Sequence, residues 1–146
     1  MQSLLFRQRH WLLTATLVVC VTLGGWVWWR FTGPVQVSLA ADYGDLPFTV
    51  EMRPPQLTVQ PGQIVSATFR IRNNDLSPLE AFGAVEVKPW YAKDQVQIFV
   101  TQCGGLNAFQ HSAADDYLVL FRVAPAGFFG SQNITLQHNF VRANLR

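Results

Sequence analysis

The chain has 146 residues, 49% of them apolar, with eleven Lys and Arg, nine Asp and Glu, and two cysteines. The net charge of +2 comes from Arg7, Arg9 and Arg30; from Phe31 onward eight basic residues meet nine acidic ones. Without a basic cluster along one surface there is no footprint for nucleic acid, and the length beyond the apolar N-terminal run, about 115 residues, suffices for one domain and its core but not for two.

The run from Trp11 to Trp29 contains no charge. At about 1.5 Å rise per residue a helix of that length crosses a hydrocarbon core of about 30 Å. Trp11 at one end and Trp26, Trp28 and Trp29 at the other fall where indole rings favour the headgroup level. Arg7 and Arg9 precede the run and only Arg30 follows it closely. The positive-inside bias therefore puts residues 1–10 in the cytoplasm and the rest of the chain outside. A cleaved signal peptide ending near Ser38-Leu39-Ala40 is the competing reading, but the apolar run exceeds the usual h-region and the candidate cut lies far beyond it. No Arg- and Ser-rich amphipathic presequence is present, so the expected location is a bacterial inner membrane, single pass, with a periplasmic domain.

Residues 30–45 read as a linker or a first strand, since Gly33-Pro34 stops the helix and Val35, Val37 and Leu39 alternate with small or polar neighbours. Phe48, Val50 and Met52 share one face until Pro54-Pro55, and Leu57 and Val59 lead to the turn Gln60-Pro61-Gly62-Gln63. Val65, Ala67, Phe69 and Ile71 then alternate with Ser66, Thr68, Arg70 and Arg72, a period of two that buries one face. Val85 and Val87, the run Val96, Ile98 and Val100, the run Tyr117 to Val123, and Ile134, Leu136, His138 and Phe140 repeat the pattern. Seven or eight short strands with Gly, Pro and Asn turns predict an all-β, antiparallel β-sandwich over residues 46–146.

Cys20 lies in the apolar run and Cys103 in the domain, so the two do not pair across the membrane boundary. Cys103 falls where a strand ends and Gly104-Gly105 begins a turn, a position from which a thiolate can project beyond the sheet. Outside the cytoplasm a soft thiolate suits Cu(I). One Cys is one donor; a second would come from Cys103 of another copy, in a homodimer, or from His111 in the same loop region. A buried Cys acting as a small apolar side chain is the alternative.

Other candidates have structural readings beside the functional ones. His138 shares a face with three apolar residues and reads as core, as does Met52. Asp115-Asp116 reads as a solvated turn. Trp90-Tyr91 reads as a docking surface for a partner or the membrane interface, or as packing over the sandwich end. Asn133-Ile134-Thr135 matches a glycosylation pattern but lies within a strand. A Gly-rich phosphate loop, a Cys-x-x-Cys pair and zinc-ligand spacing are all absent from the sequence, which points away from an enzyme.

Phe31-Thr32-Gly33 after the apolar run, Leu57-Thr58-Val59-Gln60-Pro61-Gly62-Gln63 before a long alternating strand into Arg72-Asn73-Asn74, Gln102-Cys103, Phe121-Arg122-Val123-Ala124-Pro125 and Asn133-Ile134-Thr135-Leu136 occur in an order that resembles the cytochrome c oxidase assembly proteins of the CtaG family. The resemblance implies an immunoglobulin-like sandwich after one transmembrane helix. It also implies a copper-chaperone role, in which Cu(I) is inserted into the oxidase through a Cys-Phe-Cys-Phe loop. By position that loop falls on Cys103-Gly104-Gly105-Leu106, which keeps the first cysteine alone, and a further family cysteine falls on Trp29. The expected function is a signal-anchored accessory protein for assembling a copper-containing membrane enzyme, with Cys103 a weak or dimer-shared ligand. The alternative is an interaction or scaffold module without copper.

Overall fold

The computed structural model describes residues 2–143, with the side chains of residues 2–10, 12 and 13 outside that description. One helix, α1 (Gln2–Thr32), precedes nine strands: β1 (Val35–Asp42), β2 (Phe48–Arg53), β3 (Gln56–Val59), β4 (Ile64–Asn73), β5 (Leu79–Lys88), β6 (Val96–Thr101), β7 (Gly105–Phe109), β8 (Ala114–Val123) and β9 (Asn133–Arg142). A 3-10 helix, Trp90–Gln95, joins β5 to β6. Residues 35–42 are thus a strand, which decides between linker and strand for the segment after the apolar run.

The strands form two sheets, one in the order β3-β1-β9-β5-β7 and the other β2-β4-β8-β6. Their facing sides make the core. In β4, Ala67, Phe69 and Ile71 are buried while Arg72 is exposed, and β9 buries Ile134, Leu136, His138 and Phe140 in strict alternation. This is the side-chain consequence of a period of two against a single apolar layer. Towards one end the layer is aromatic: Phe48, Phe109 and Phe140 pack with ring centroids 4.8–6.1 Å apart, and Tyr117 joins Phe109 at 5.6 Å.

The antiparallel expectation needs one correction. β1 runs parallel to β9, with Gln36 opposite Asn133 and Asp42 opposite Asn139. A parallel neighbour needs a long connection, and here the connection is the rest of the domain. β7 and the first half of β5 also escape the sequence pattern. In β5 Phe82 and Ala84 face outward, exposed, while Ala81 and Gly83 are buried, and no run of large apolar side chains marks that half of the strand.

The expected anchor, Trp11 to Trp29, lies within a helix that continues to Thr32 before Gly33 and Pro34 end it. Among the described residues no helix is long and apolar enough to cross a membrane. The uncharged run of the sequence includes Leu12 and Leu13, which lie outside the described side chains.

Gly83 and Gly130 are required by close approach. A Cβ on Gly83 would overlap the carbonyl oxygen of Cys103, so β5 passes the turn after β6 at a distance only glycine allows. A Cβ on Gly130 would overlap the carbonyl oxygen of Ala126, to which the Gly130 N–H donates at 2.7 Å. Gly83→Ala is therefore expected to destabilise the fold by about 2–3 kcal/mol, the upper part of the usual range for overpacking. Thermal unfolding of the full chain in detergent, with Ala84→Ser in the same strand as an unaffected comparison, measures it.

Candidate functional site

Cys103 follows β6 and precedes β7, so the sequence position at a strand end is as expected, but its side chain turns inward and is fully buried. Of the two readings of Cys103, a thiol projecting from a loop tip and a buried small side chain, the structure shows the second. The turn Thr101–Gly105 folds back over Gly83, and the sulfur that would have pointed outward fills the core instead. Both cysteines are free, Cys20 exposed on α1 and Cys103 enclosed.

The thiol meets His138 of β9, with Sγ 3.1 Å from Nε2 and 3.6 Å from Nδ1. The same Nε2 lies 3.4 Å from the Cys103 carbonyl oxygen. With Nε2 unprotonated the thiol donates to it; with Nε2 protonated the imidazole donates to the carbonyl. Either tautomer gives an uncharged pair. The imidazole is stacked on Phe140 at 4.9 Å and edge-on to Phe69 at 5.2 Å, so its ring is packed as an aromatic core residue. The core reading of His138 is what the structure shows, with a polar partner that the strand pattern does not reveal.

Electrostatics follow burial. Desolvation pushes the Cys103 thiol up to about 11, partly opposed by the Thr101 hydroxyl and the main chain, and it lowers the His138 pKa from its ordinary value. The two shifts disfavour a thiolate–imidazolium pair and keep both groups neutral near neutral pH. A neutral, enclosed thiol is a poor nucleophile and a poor exchange ligand for copper, because both chemistries need the thiolate and access to it.

His111 is elsewhere. It is exposed, its Nδ1 hydrogen-bonds the Asp75 carbonyl, and Ser112 Oγ lies 3.1 Å from its Nε2. Its partners lie in the turns after β4 and β7, and the structure does not bring it to the Cys103–His138 pair. Among the described residues no group of three or more His, Cys, Asp or Glu side chains could hold a metal ion. Met52 is partly buried against the core, and Asp115 and Asp116 are exposed in β8, opposite Ile71 and Arg70.

The surface carries a second constellation, at the end of the sandwich next to α1. There Gln95, almost fully buried, stitches two connections together. Its Nε2 donates to the carbonyls of Ala124 at 3.0 Å and Ser131 at 2.9 Å, and its Oε1 accepts from the Ser131 N–H at 2.9 Å. Trp90 and Tyr91, T-shaped at 6.0 Å, remain exposed, so they do not pack over the sandwich end. An open groove of about 740 Å³ lies beside Trp90, its lining mixing apolar residues such as Val85, Val87 and Ile98 with the charged Glu86, Lys93 and Asp94. From the 124–132 connection Phe128 and Phe129 are also exposed. Sequence reasoning missed Gln95, since nothing in a single polar residue after a Trp-Tyr pair marks it as a buried cross-link.

Two measurements check the buried pair. In a Cys20→Ser chain, Cys103 is expected to react with Ellman's reagent only as fast as the protein unfolds, and addition of denaturant releases the whole thiol at once. The pH dependence of stability has a defined sign. The unfolded imidazole binds a proton near pH 6.5 that the folded one refuses, so stability is complete above that value and is lost as pH falls below it. On the alkaline side the unfolded thiol ionises near 9.0 while the folded thiol keeps its proton to about 11, so stability declines across that interval. Melting temperature of the full chain should rise from about pH 5 to about pH 7, and His138→Leu should flatten that rise.

No family model matches the chain, and no curated protein matches it, so the roles of these residues rest on their geometry and chemistry.

Proposed function

We propose that this chain is a membrane-anchored interaction module: an immunoglobulin-like β-sandwich held by α1 at the outer face of a bacterial inner membrane, where it docks on a membrane enzyme complex during or after assembly. The observation that carries the reading is the junction between α1 and the sandwich. Arg30, in the last turn of α1, donates from its guanidinium to the carbonyls of Phe128 at 3.3 Å and Gly130 at 3.2 Å, while the Gly127 N–H donates to the Arg30 carbonyl at 2.9 Å. These bonds fix the attitude of the sandwich on its helix, which is what a module presenting one face to a membrane partner requires.

The side chains of α1 support the anchor. Trp11, Leu17, Val18, Val19, Val21, Leu23, Trp26, Trp28 and Trp29 are exposed, on every face of the helix, and in water that array has no covering. Together with the uncharged run from Trp11 to Trp29, Leu12 and Leu13 included, this supports a helix solvated by lipid. The client suggested by the resemblance to CtaG proteins is a copper-containing oxidase. Burial of Cys103 beside His138 favours the docking version of this reading over the copper-delivering one, since one enclosed neutral thiol offers neither the second soft donor nor the exit path that transfer needs.

Two experiments test the proposal. Expressed in a bacterial host, the full chain should stay in the membrane pellet through alkaline carbonate, and its C-terminal domain should be cut by protease added to spheroplasts; release into the supernatant would overturn the anchor. Cu(I) titration of the detergent-solubilised chain under reducing conditions should show no uptake beyond that of Cys103→Ala. A stoichiometric difference between the two chains would restore the copper reading.

A further inference from the structure

Phe128 and Phe129 are the least explained residues on the surface. Phe129 is 91% exposed and Phe128 55%, although both sit in a connection that is otherwise tightly organised. The Gly130 N–H bonds the Ala126 carbonyl, Gln95 holds Ser131, and Arg30 binds the carbonyls of residues 128 and 130. Two aromatic rings are therefore held out on a braced backbone rather than left on a slack loop.

Their position relative to α1 is decisive. The Phe128 ring lies 5.2 Å from that of Phe31, edge-on, and 6.4 Å from that of Trp26. The Arg30 guanidinium lies over the same Trp26 ring at 5.8 Å. Trp26 precedes the end of the uncharged run, Trp29, by three residues, or roughly 4.5 Å along a helix axis. The loop backbone is bonded at the level of Arg30, and from there the Phe128 ring reaches Trp26, past the depth of Trp29. If α1 is in lipid, this loop reaches the same level as the indoles around it.

The geometry points to the loop Ala126–Gly130 as a second membrane contact, which seats Phe128 and Phe129 in the headgroup and acyl boundary beside α1 and so sets the tilt of the sandwich on the bilayer. The inference rests on the anchored reading. The occupant is lipid because the patch is continuous with the lipid-facing side of the helix, and because Phe128 is joined to Phe31 and to Trp26, whose indole is of the kind that favours the interfacial level. Arg30 is positioned to stay at that level, its charge answered by loop carbonyls and by the indole face. Gly127, at φ +56°, gives the turn that brings the chain back along Phe31; a larger residue there would be strained.

The test uses the full chain reconstituted in vesicles of phosphatidylcholine and phosphatidylglycerol, in a Cys20→Ser background, with bimane attached at Phe129→Cys. Leu76→Cys, 88% exposed in the turn after β4 at the other end of the sandwich, is the comparison. Unlabelled Cys103 in the parent background checks that the buried thiol takes no dye. The expected result is a blue-shifted Phe129 probe, quenched several-fold more by lipids brominated near the headgroup than the Leu76 probe, and quenched several-fold less by aqueous iodide. Equal iodide quenching of the two probes, with tryptophan emission still quenched by the brominated lipids, overturns this inference and leaves the anchor standing. A blue shift without quenching by brominated lipid marks cover by a second copy and also overturns it. Tryptophan emission untouched by brominated lipid overturns the anchored reading and this inference together.

Discussion

The parallel pairing of β1 with β9 is the constraint on which the rest depends. β1 begins three residues after α1 ends, and β9 begins directly after the 124–132 connection. Setting Gln36 opposite Asn133 in parallel therefore brings the last turn of the helix and that connection to the same end of the sandwich. The Gln36 N–H extends the pairing by one bond to the Gln132 carbonyl at 2.7 Å. An antiparallel register would have placed the start of β1 against the C-terminal end of β9, with the helix at the opposite end from Phe128. The Arg30 bonds and the Trp26–Phe128–Phe31 cluster are consequences of strand direction as much as of the side chains that make them.

The same layering explains why a cysteine at a strand end is not at the surface. Gly83 lets the Thr101–Gly105 turn lie against β5, and the turn directs the thiol towards the inner face of β9, where alternation places His138. An isolated imidazole among Phe69, Phe140 and the aliphatic core would cost free energy for each unbonded ring nitrogen. A neutral thiol within hydrogen-bonding distance offsets part of that cost without introducing a charge. The pair is coherent as a polar filler of an apolar layer. Its chemistry is suppressed by the same burial that makes it stable.

Function, in this reading, sits at the end of the sandwich that carries the helix rather than at the thiol. Gln95 unites the Trp90–Gln95 connection with the 124–132 connection, and Arg30 unites the latter with α1. Strand ends, loops and helix terminus are cross-linked into one unit with exposed aromatic side chains. Rigid coupling of this kind limits how far the sandwich can swing on α1. A partner within the membrane plane would then meet a surface of fixed orientation, and less rotational freedom is lost on docking.

Much of this was legible in the sequence. The uncharged run, the breaks at Gly33-Pro34 and Pro54-Pro55, and the alternation through β4, β8 and β9 are local patterns set by periodicity and backbone chemistry, and they determined a helix followed by a sandwich, with His138 on an inward face. Local patterns could not determine that β1 joins the last strand in parallel, because sheet order depends on which edges find each other after the chain has collapsed. Nor could they show that Cys103 turns in to meet a histidine 35 residues away, since that turn requires the absence of a side chain at Gly83 on a strand between them in space. The role of Phe128 and Phe129 was hidden for the same reason: two phenylalanines in a loop acquire a position relative to the helix only through the long-range register that tertiary packing imposes.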